Sequence, residues 1–391
     1  MPPSMPLRRP PRPVDAMSLK QRAAVRRYLF RFLFPNRTPT MPSTSSPPTS
    51  DTTTDLRHVL RVNDFSDATW NALRRAAVAH RHDETRGVNT ATGKSIGLVF
   101  MNPSLRTRTS MEGAAAHLGA HHTTLVPGDG SWGLEWEEGA VMDGDAAEHV
   151  KEAIGVLSRY HDALGVRVFA SGTDYAADKQ DTLIRTIAEY ATVPVVNLES
   201  AWAHPCQGLS DAALMTERLE DDLTSKNIVL SWAPHPKPLP MAVPNTALRT
   251  AARCGMDVTV ARPETHALDP DLMAEAQSMA EAQGGSVSAT SDQDAAASGA
   301  DVAYAKSWGG PLMYEDPTQE AEARAAHADW RITEALMQRT RDGVFMHCLP
   351  VRRNVVADDA VLDGPHAVHL DQAEYRLHAQ KALLQHVWGL R

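Results

Sequence analysis

Short apolar runs alternate with amphipathic stretches along most of this chain. Ser95–Phe100, Ala163–Phe169, Val193–Leu198, Asn227–Trp232, Asp257–Ala261, Asp301–Ala305, Gly343–His347 and Ala367–Leu370 are too short for core helices. Their nearly unbroken apolar character predicts strands covered on both faces, as in a parallel sheet. His122–Leu125 predicts one more short strand. Between them, Ser66–His80, Ser110–Leu118, Ala146–Tyr160, Thr182–Tyr190, Asn245–Cys254, Asp271–Gln283 and Ala373–Trp388 carry helical periodicity. The alternation begins near Asp55 and restarts after Glu199–Asp211. Two successive α/β units are the economical arrangement, and their junction is the expected ligand cleft.

Composition adds the frame. The chain has 391 residues, enough for two cores, with 42% hydrophobic and 22% charged residues. Residues 1–54 are rich in Pro, Ser, Thr and Arg and read as a disordered extension. Inside it, Ser18–Phe34 is basic and amphipathic, fitting a targeting or membrane-surface segment or a dispensable extension. Residues 1–40 hold nine Lys/Arg against Asp15 alone, which leaves the remainder at −17 beside −9 for the whole chain. A body that acidic argues against nucleic acid as the main partner. Cys206, Cys254 and Cys348 show no metal-ligand spacing, so no metal is expected and a reduced cytoplasmic setting fits.

The most informative segment is Met101-Asn102-Pro103-Ser104-Leu105-Arg106-Thr107-Arg108-Thr109-Ser110. It lies between a predicted strand and a predicted helix. A helix start carries free N–H groups and partial positive charge, which Ser104 and Thr107 can cap and Arg106 and Arg108 reinforce, making an anion site. Alone, the segment also fits a capped helix with surface arginines. A second motif, His204-Pro205-Cys206-Gln207, falls at the junction, where an imidazole and a carboxamide can face one small polar group. A third, Phe345-Met346-His347-Cys348-Leu349-Pro350, leaves a strand and runs into Val351-Arg352-Arg353-Asn354. No base is evident for a Cys348 nucleophile, whereas main-chain carbonyls at a strand end can accept from an amine or amide.

In this order and spacing, the three motifs resemble the aspartate/ornithine carbamoyltransferase superfamily, from about Asp55 to the C-terminus. The resemblance implies two Rossmann-like α/β domains with parallel sheets, at 55–198 for carbamoyl phosphate and 199–370 for the amine substrate. A C-terminal helix, 371–391, would return to the first domain. It also implies a homotrimer with active sites at subunit interfaces and no cofactor. The Ser-Met-Gly loop of plain ornithine enzymes is missing; the corresponding strand end reads Tyr304-Ala305-Lys306-Ser307-Trp308. A catalytically silent relative should have lost one of the motifs, and none is lost. The stretches Val141–Asp145, Trp232–Pro240, Tyr304–Trp308 and Arg376–Lys381 look like the N-acylornithine branch, which carbamoylates N-acetyl- or N-succinyl-L-ornithine in arginine biosynthesis. The acetyl type typically carries glutamate, and the succinyl type proline, at the position occupied here by Ala147. Lacking a carboxylate there removes repulsion and bulk against a succinyl tail, which tips the expectation to succinyl.

On the same resemblance, Ser104, Leu105, Arg106 and Thr107 hold the phosphate, and Arg376 helps neutralise it. Arg106, Thr107, Arg167 and His204 surround the carbonyl oxygen as its negative charge grows. Gln207 and the carbonyls of Cys348 and Leu349 orient the carbamoyl NH2. Glu199, His235, Lys306 and Arg352, with Ala147 and with Trp132 from a neighbouring subunit, face the acylornithine. Replacing Arg106 with Ala should lower turnover at least about 100-fold, the scale of a lost charge-stabilising donor; a near-normal steady-state rate would refute the phosphate assignment.

Overall fold

The computed structural model describes residues 58–390 apart from Gly130. The extension 1–54, with the basic Ser18–Phe34 stretch, lies outside the described residues. The first lobe runs α1 (Asp67–His82), β1 (Ser95–Phe100), α2 (Arg106–His117), β2 (His121–Leu125), β3 (Leu134–Glu135), β4 (Glu148–His149), α3 (Val150–Tyr160), β5 (Ala163–Arg167), α4 (Tyr175–Gln180), α5 (Thr182–Tyr190) and β6 (Val195–Glu199). Helix α6 (Pro205–Arg218) leads to β7 (Asn227–Trp232), α7 (Ala242–Arg253), β8 (Asp257–Ala261), α8 (Pro270–Ala282), β9 (Ser286–Thr290), α9 (Gln293–Ala297) and β10 (Val302–Lys306). Then come α10 (Leu312–Glu315), α11 (Pro317–Ala326), α12 (Glu334–Met337), β11 (Val344–Met346), α13 (Asp359–Leu362) and α14 (His369–Val387).

Two parallel sheets result, ordered β2-β1-β5-β6 and β11-β10-β7-β8-β9, with β3 and β4 as a separate pair. The inner strands β1, β5, β7 and β10 are buried almost throughout, as their unbroken apolar runs require. Each sheet changes winding direction once, between β1 and β5 and between β7 and β10. Ligands collect outside the carboxyl ends of strands at such points. The first motif follows the carboxyl end of β1 at such a point, and the other two follow the carboxyl ends of the edge strands β6 and β11.

The elements follow from local chemistry. Ser66 caps α1 by accepting from the Thr69 N–H at 3.2 Å, and His80, Arg81 and His82 sit in its last turn. Two departures from expectation stand out. Ala367–Leu370 is not a strand: Ala367 makes one isolated bridge to Phe345, and α14 begins at His369. A four-residue apolar run reads equally as a strand or a helix's first turn, and here the Gln372 N–H bonds the Val368 carbonyl at 2.8 Å. The polar edge strand β9 had no apolar run to announce it.

Helix α14 packs on α1, α2 and α6, so the chain's end closes over the first sheet's helices. Helix α6 also packs on α7 from the second lobe, with most of its length buried. A clasp beside it joins the lobes: the Tyr175 hydroxyl donates to Asp269 at 2.5 Å, Lys179 pairs with Asp269 at 2.8 Å, and Tyr314 donates to Asp178 at 3.0 Å. No helix among the described residues is long and apolar enough to cross a membrane. The α6–α7 approach depends on Gly208, where a Cβ would lie 2.6 Å from Thr250 Oγ1 and 2.8 Å from Thr246 Cγ2. Gly208→Ala should therefore cost about 1–3 kcal/mol through overpacking, seen as a lower urea midpoint with an unchanged slope.

Candidate active site

At the end of β1 the chain turns through Asn102-Pro103 and starts α2 at Arg106. Ser104 Oγ accepts from the Thr107 N–H at 3.2 Å, so the serine acts as the cap. The other first-turn N–H groups have no acceptor within the helix, and residues 103–107 line a cavity of about 480 Å³. Of the two arginines, Arg106 lines it. Arg108 is exposed and bonds Glu112 at 2.9 Å along its own helix.

Other strand ends complete the walls. Arg167 ends β5 in register with Phe100 on β1 and Glu199 on β6, with an irregularity between Val166 and Arg167. Lys306 ends β10, and Cys348, Leu349 and Pro350 follow β11. His204 and Gln207 come from the start of α6, Arg376 from α14, and Leu239, Pro240, Val243 and Phe169 supply an apolar side. Glu199 has φ +150°, a conformation L-residues avoid; its N–H is held by Asn197 Oδ1 at 2.9 Å and its carbonyl by the Val168 N–H at 2.9 Å.

Four cations, Arg106, Arg167, Arg376 and Lys306, face one lining carboxylate, Glu199. Arg167 Nη1 donates to Glu199 at 2.5 Å and its guanidinium lies over the Phe169 ring at 4.3 Å. Lys306 Nζ donates to the Ser307 carbonyl at 3.0 Å. Burial lowers the Arg106 pKa from its usual value. His204 Nε2 is 3.6 Å from Glu199, but burial, then Arg376 and Arg167, drive its pKa well below the usual imidazole value. It is therefore a neutral ring at physiological pH, able to donate one N–H. The cavity is built for an anion with a polarisable carbonyl.

A buried network joins the motifs. Arg376 donates to Thr107 Oγ1 at 2.9 Å and to Gln207 Oε1 at 2.8 Å. Gln207 Nε2 donates to Asp211 at 2.7 Å, as does Gln372 Nε2, while Gln372 Oε1 accepts from the His347 N–H at 2.8 Å. Burial raises the Cys348 thiol, which keeps it protonated.

The sequence reading grouped Trp132, Ala147, His235 and Arg352 with these residues, and none of the four lines the cavity of this single chain. Trp132 is 59% exposed, with Nε1 donating to Glu148 at 2.7 Å, and Ala147 is exposed beside that glutamate. His235 Nε2 accepts from Arg352 Nε at 3.0 Å. Its Nδ1 therefore carries the hydrogen and donates to the Lys237 carbonyl at 2.8 Å. Burial, with Arg352, Lys306 and Arg324 nearby, lowers its pKa. Asp211, Gln372 and Tyr304 were missed. A helix opened by Pro205 at its first position would have placed Gln207 and Asp211 on one face, four residues apart.

Residues 57–217 match the model of the aspartate/ornithine carbamoyltransferase carbamoyl-P binding domain, and residues 241–387 that of the Asp/Orn binding domain. The chain is 44% identical to N-acetylornithine carbamoyltransferase of Xanthomonas campestris pv. campestris, over 85% of this chain and 98% of the relative. Identity to N-succinylornithine carbamoyltransferase of Bacteroides thetaiotaomicron is 35%, over 75% of this chain and 87% of the relative. A crystal structure of acetylornithine transcarbamylase complexed with acetylcitrulline superposes with TM-score 0.82 at 43% identity, covering 85% of this chain and 99% of that one.

A protonated Cys348 without a base makes covalent chemistry unnecessary. Cys348→Ser should keep turnover within about fivefold of the parent; a loss beyond about 100-fold would restore the thiol as a nucleophile.

Proposed function

This chain belongs to the aspartate/ornithine carbamoyltransferase family, in its N-acylornithine branch, and on that premise we propose that it carbamoylates the δ-amine of an N-acyl-L-ornithine. Carbamoyl phosphate is the donor, and the products are N-acylcitrulline and phosphate. The observation that carries this reading is the convergence of Ser104–Thr107, Arg167, His204, Gln207, Lys306, Cys348, Leu349 and Arg376 on one cationic cavity.

The phosphate sits at the start of α2, against the first-turn N–H groups, Ser104, Arg106 and Thr107, with Arg376 beneath. The neutral δ-amine attacks the carbonyl carbon. A C–N bond forms, the C–O bond to phosphate breaks, and the proton lost by the amine goes to the departing phosphate. Arg106, Thr107, Arg167 and neutral His204 stabilise the growing negative charge on the carbonyl oxygen, and positioning supplies the rest. The carbonyls of Gln207, Cys348 and Leu349 accept from the carbamoyl NH2. Lys306 suits an α-carboxylate whose neighbouring nitrogen, once acylated, no longer carries charge; Glu199, His235 and Arg352 complete that side.

The acyl group is read as acetyl, on the higher identity and fuller coverage of the acetyl-type relative. A second reading, succinyl, is favoured by Ala147, which puts no carboxylate against a succinyl tail. The same proposal includes a homotrimer serving arginine biosynthesis in the cytoplasm. Trp132, Val141 and Met142 are 59%, 80% and 44% exposed, apolar surface that a neighbouring subunit would cover. Three free cysteines suit a reducing compartment.

Assays with saturating carbamoyl phosphate and ornithine, N-acetylornithine or N-succinylornithine test the reading. Turnover of the acylated amines and not of ornithine is expected; preference for free ornithine would sink it. Ala147→Glu should shift preference from succinyl toward acetyl about tenfold, the reach of a misplaced charge, and unchanged use of the two by parent and variant would reject the specificity argument.

A further inference from the structure

Asp211 lies one turn after Gln207 on α6 and is 1% exposed. Its Oδ1 accepts from Gln207 Nε2 and Gln372 Nε2, each at 2.7 Å, and its Oδ2 from the Tyr304 hydroxyl at 3.1 Å. An ionised carboxylate only accepts, so both glutamines must present their nitrogens to it. Gln207 is then left with Oε1 toward Arg376 and the cavity. Gln372 is left with Oε1 on the His347 N–H, immediately before Cys348 and Leu349.

We propose that Asp211 is a positioning residue that makes the cavity recognise the NH2 of the donor. By occupying the amide nitrogen of Gln207, it leaves a carbonyl oxygen as that side chain's only face toward the cavity. An acceptor there favours a carbamoyl group over an acetyl group, which carries a methyl in the same place. The inference rests on the carbamoyl phosphate reading of the cavity.

The arrangement needs an acceptor at Asp211 Oδ1, which the carboxyl supplies in both protonation states. The groups facing it are Gln207 on its own helix, Tyr304 from β10, Gln372 and Arg376 from α14, and Cys348 after β11. Burial pushes its carboxyl up to about 6. The Tyr304 phenol and Cys348 thiol are pushed up from already higher values, and Arg376 stays a cation, so Asp211 is the group among them that titrates near that pH. Once protonated, it donates from Oδ2 to the Tyr304 hydroxyl, which can accept, while Oδ1 keeps both amides. The titration through about 6 therefore leaves the orientation of Gln207 in place.

The test uses the full chain, Asp211→Leu and Asp211→Asn, measuring carbamoyl phosphate KM and inhibition by acetyl phosphate. Leucine offers no acceptor and lets Gln207 reverse, whereas asparagine can set its oxygen against both glutamine nitrogens and its NH2 against the Tyr304 hydroxyl. The KM of Asp211→Leu should rise about tenfold, the worth of one hydrogen bond to a small ligand. Its preference for carbamoyl over acetyl phosphate should shrink by about as much, while Asp211→Asn should keep both. A folded Asp211→Leu protein with the parent's KM and discrimination overturns the proposal. Should that variant not fold, Asp211→Ala is measured in its place, and the parent's KM and discrimination there overturn it. A parent that never saturates with carbamoyl phosphate removes the reading of the cavity as well; saturation with an unaltered Asp211→Leu removes only the role of Asp211.

Discussion

Like charges crowded into one small space are the constraint around which this molecule is organised. Arg106, Arg167, Arg376 and Lys306 line a single cavity with Glu199 as the one lining carboxylate. In a partly dehydrated site their mutual repulsion is weakly screened. Three of them are anchored from behind: Arg167 on Glu199 and the Phe169 ring, Arg376 on Thr107 and Gln207, Lys306 on the Ser307 carbonyl. The uncompensated positive charge that remains is the site's affinity for a phosphorylated donor.

The anchors come from distant parts of the chain, and this couples fold to function. Thr107, Gln207, His347 and Arg376 belong to four separate segments, yet one buried network runs through all of them. The last helix is consequently part of the cavity wall. Helix α6, packed on both α1 and α7, carries Gln207 and Asp211 between the lobes. The low-dielectric surroundings that strengthen these bonds also make each lost partner costly, so the site and the interdomain core stand together.

Much of the framework could be read from periodicity. Ser95–Phe100, Asn227–Trp232, Asp257–Ala261 and Thr182–Tyr190 occupy the limits expected of them. These are inner, mostly buried strands and a strongly amphipathic helix, where burial largely dictates residue type. Legibility fails where burial does not dictate. Ser286–Thr290 lies at a sheet edge with a mixed pattern, and Ala367–Leu370 was too short to separate a strand from a helix start. Helix α6 was hidden because His204-Pro205 looks like loop; proline is in fact at home in a helix's first turn, where its missing N–H costs nothing.

The linear order of residues determined the chemistry: a hydroxyl- and guanidinium-rich helix start after a buried strand, an imidazole and a carboxamide at the interdomain junction, and a strand end able to offer carbonyls. Those are local properties, set by side-chain type and spacing of a few residues. Tertiary structure alone decided which of them face one another. It turned Arg108 outward and Arg106 inward, brought Arg376 to Thr107 across most of the chain, and placed Asp211 where it sets two amides at once. It also left Trp132, Ala147, His235 and Arg352 off the cavity wall of the lone chain. The reason is physical: hydrogen-bond direction and burial depend on neighbours remote in sequence, and no local pattern encodes them.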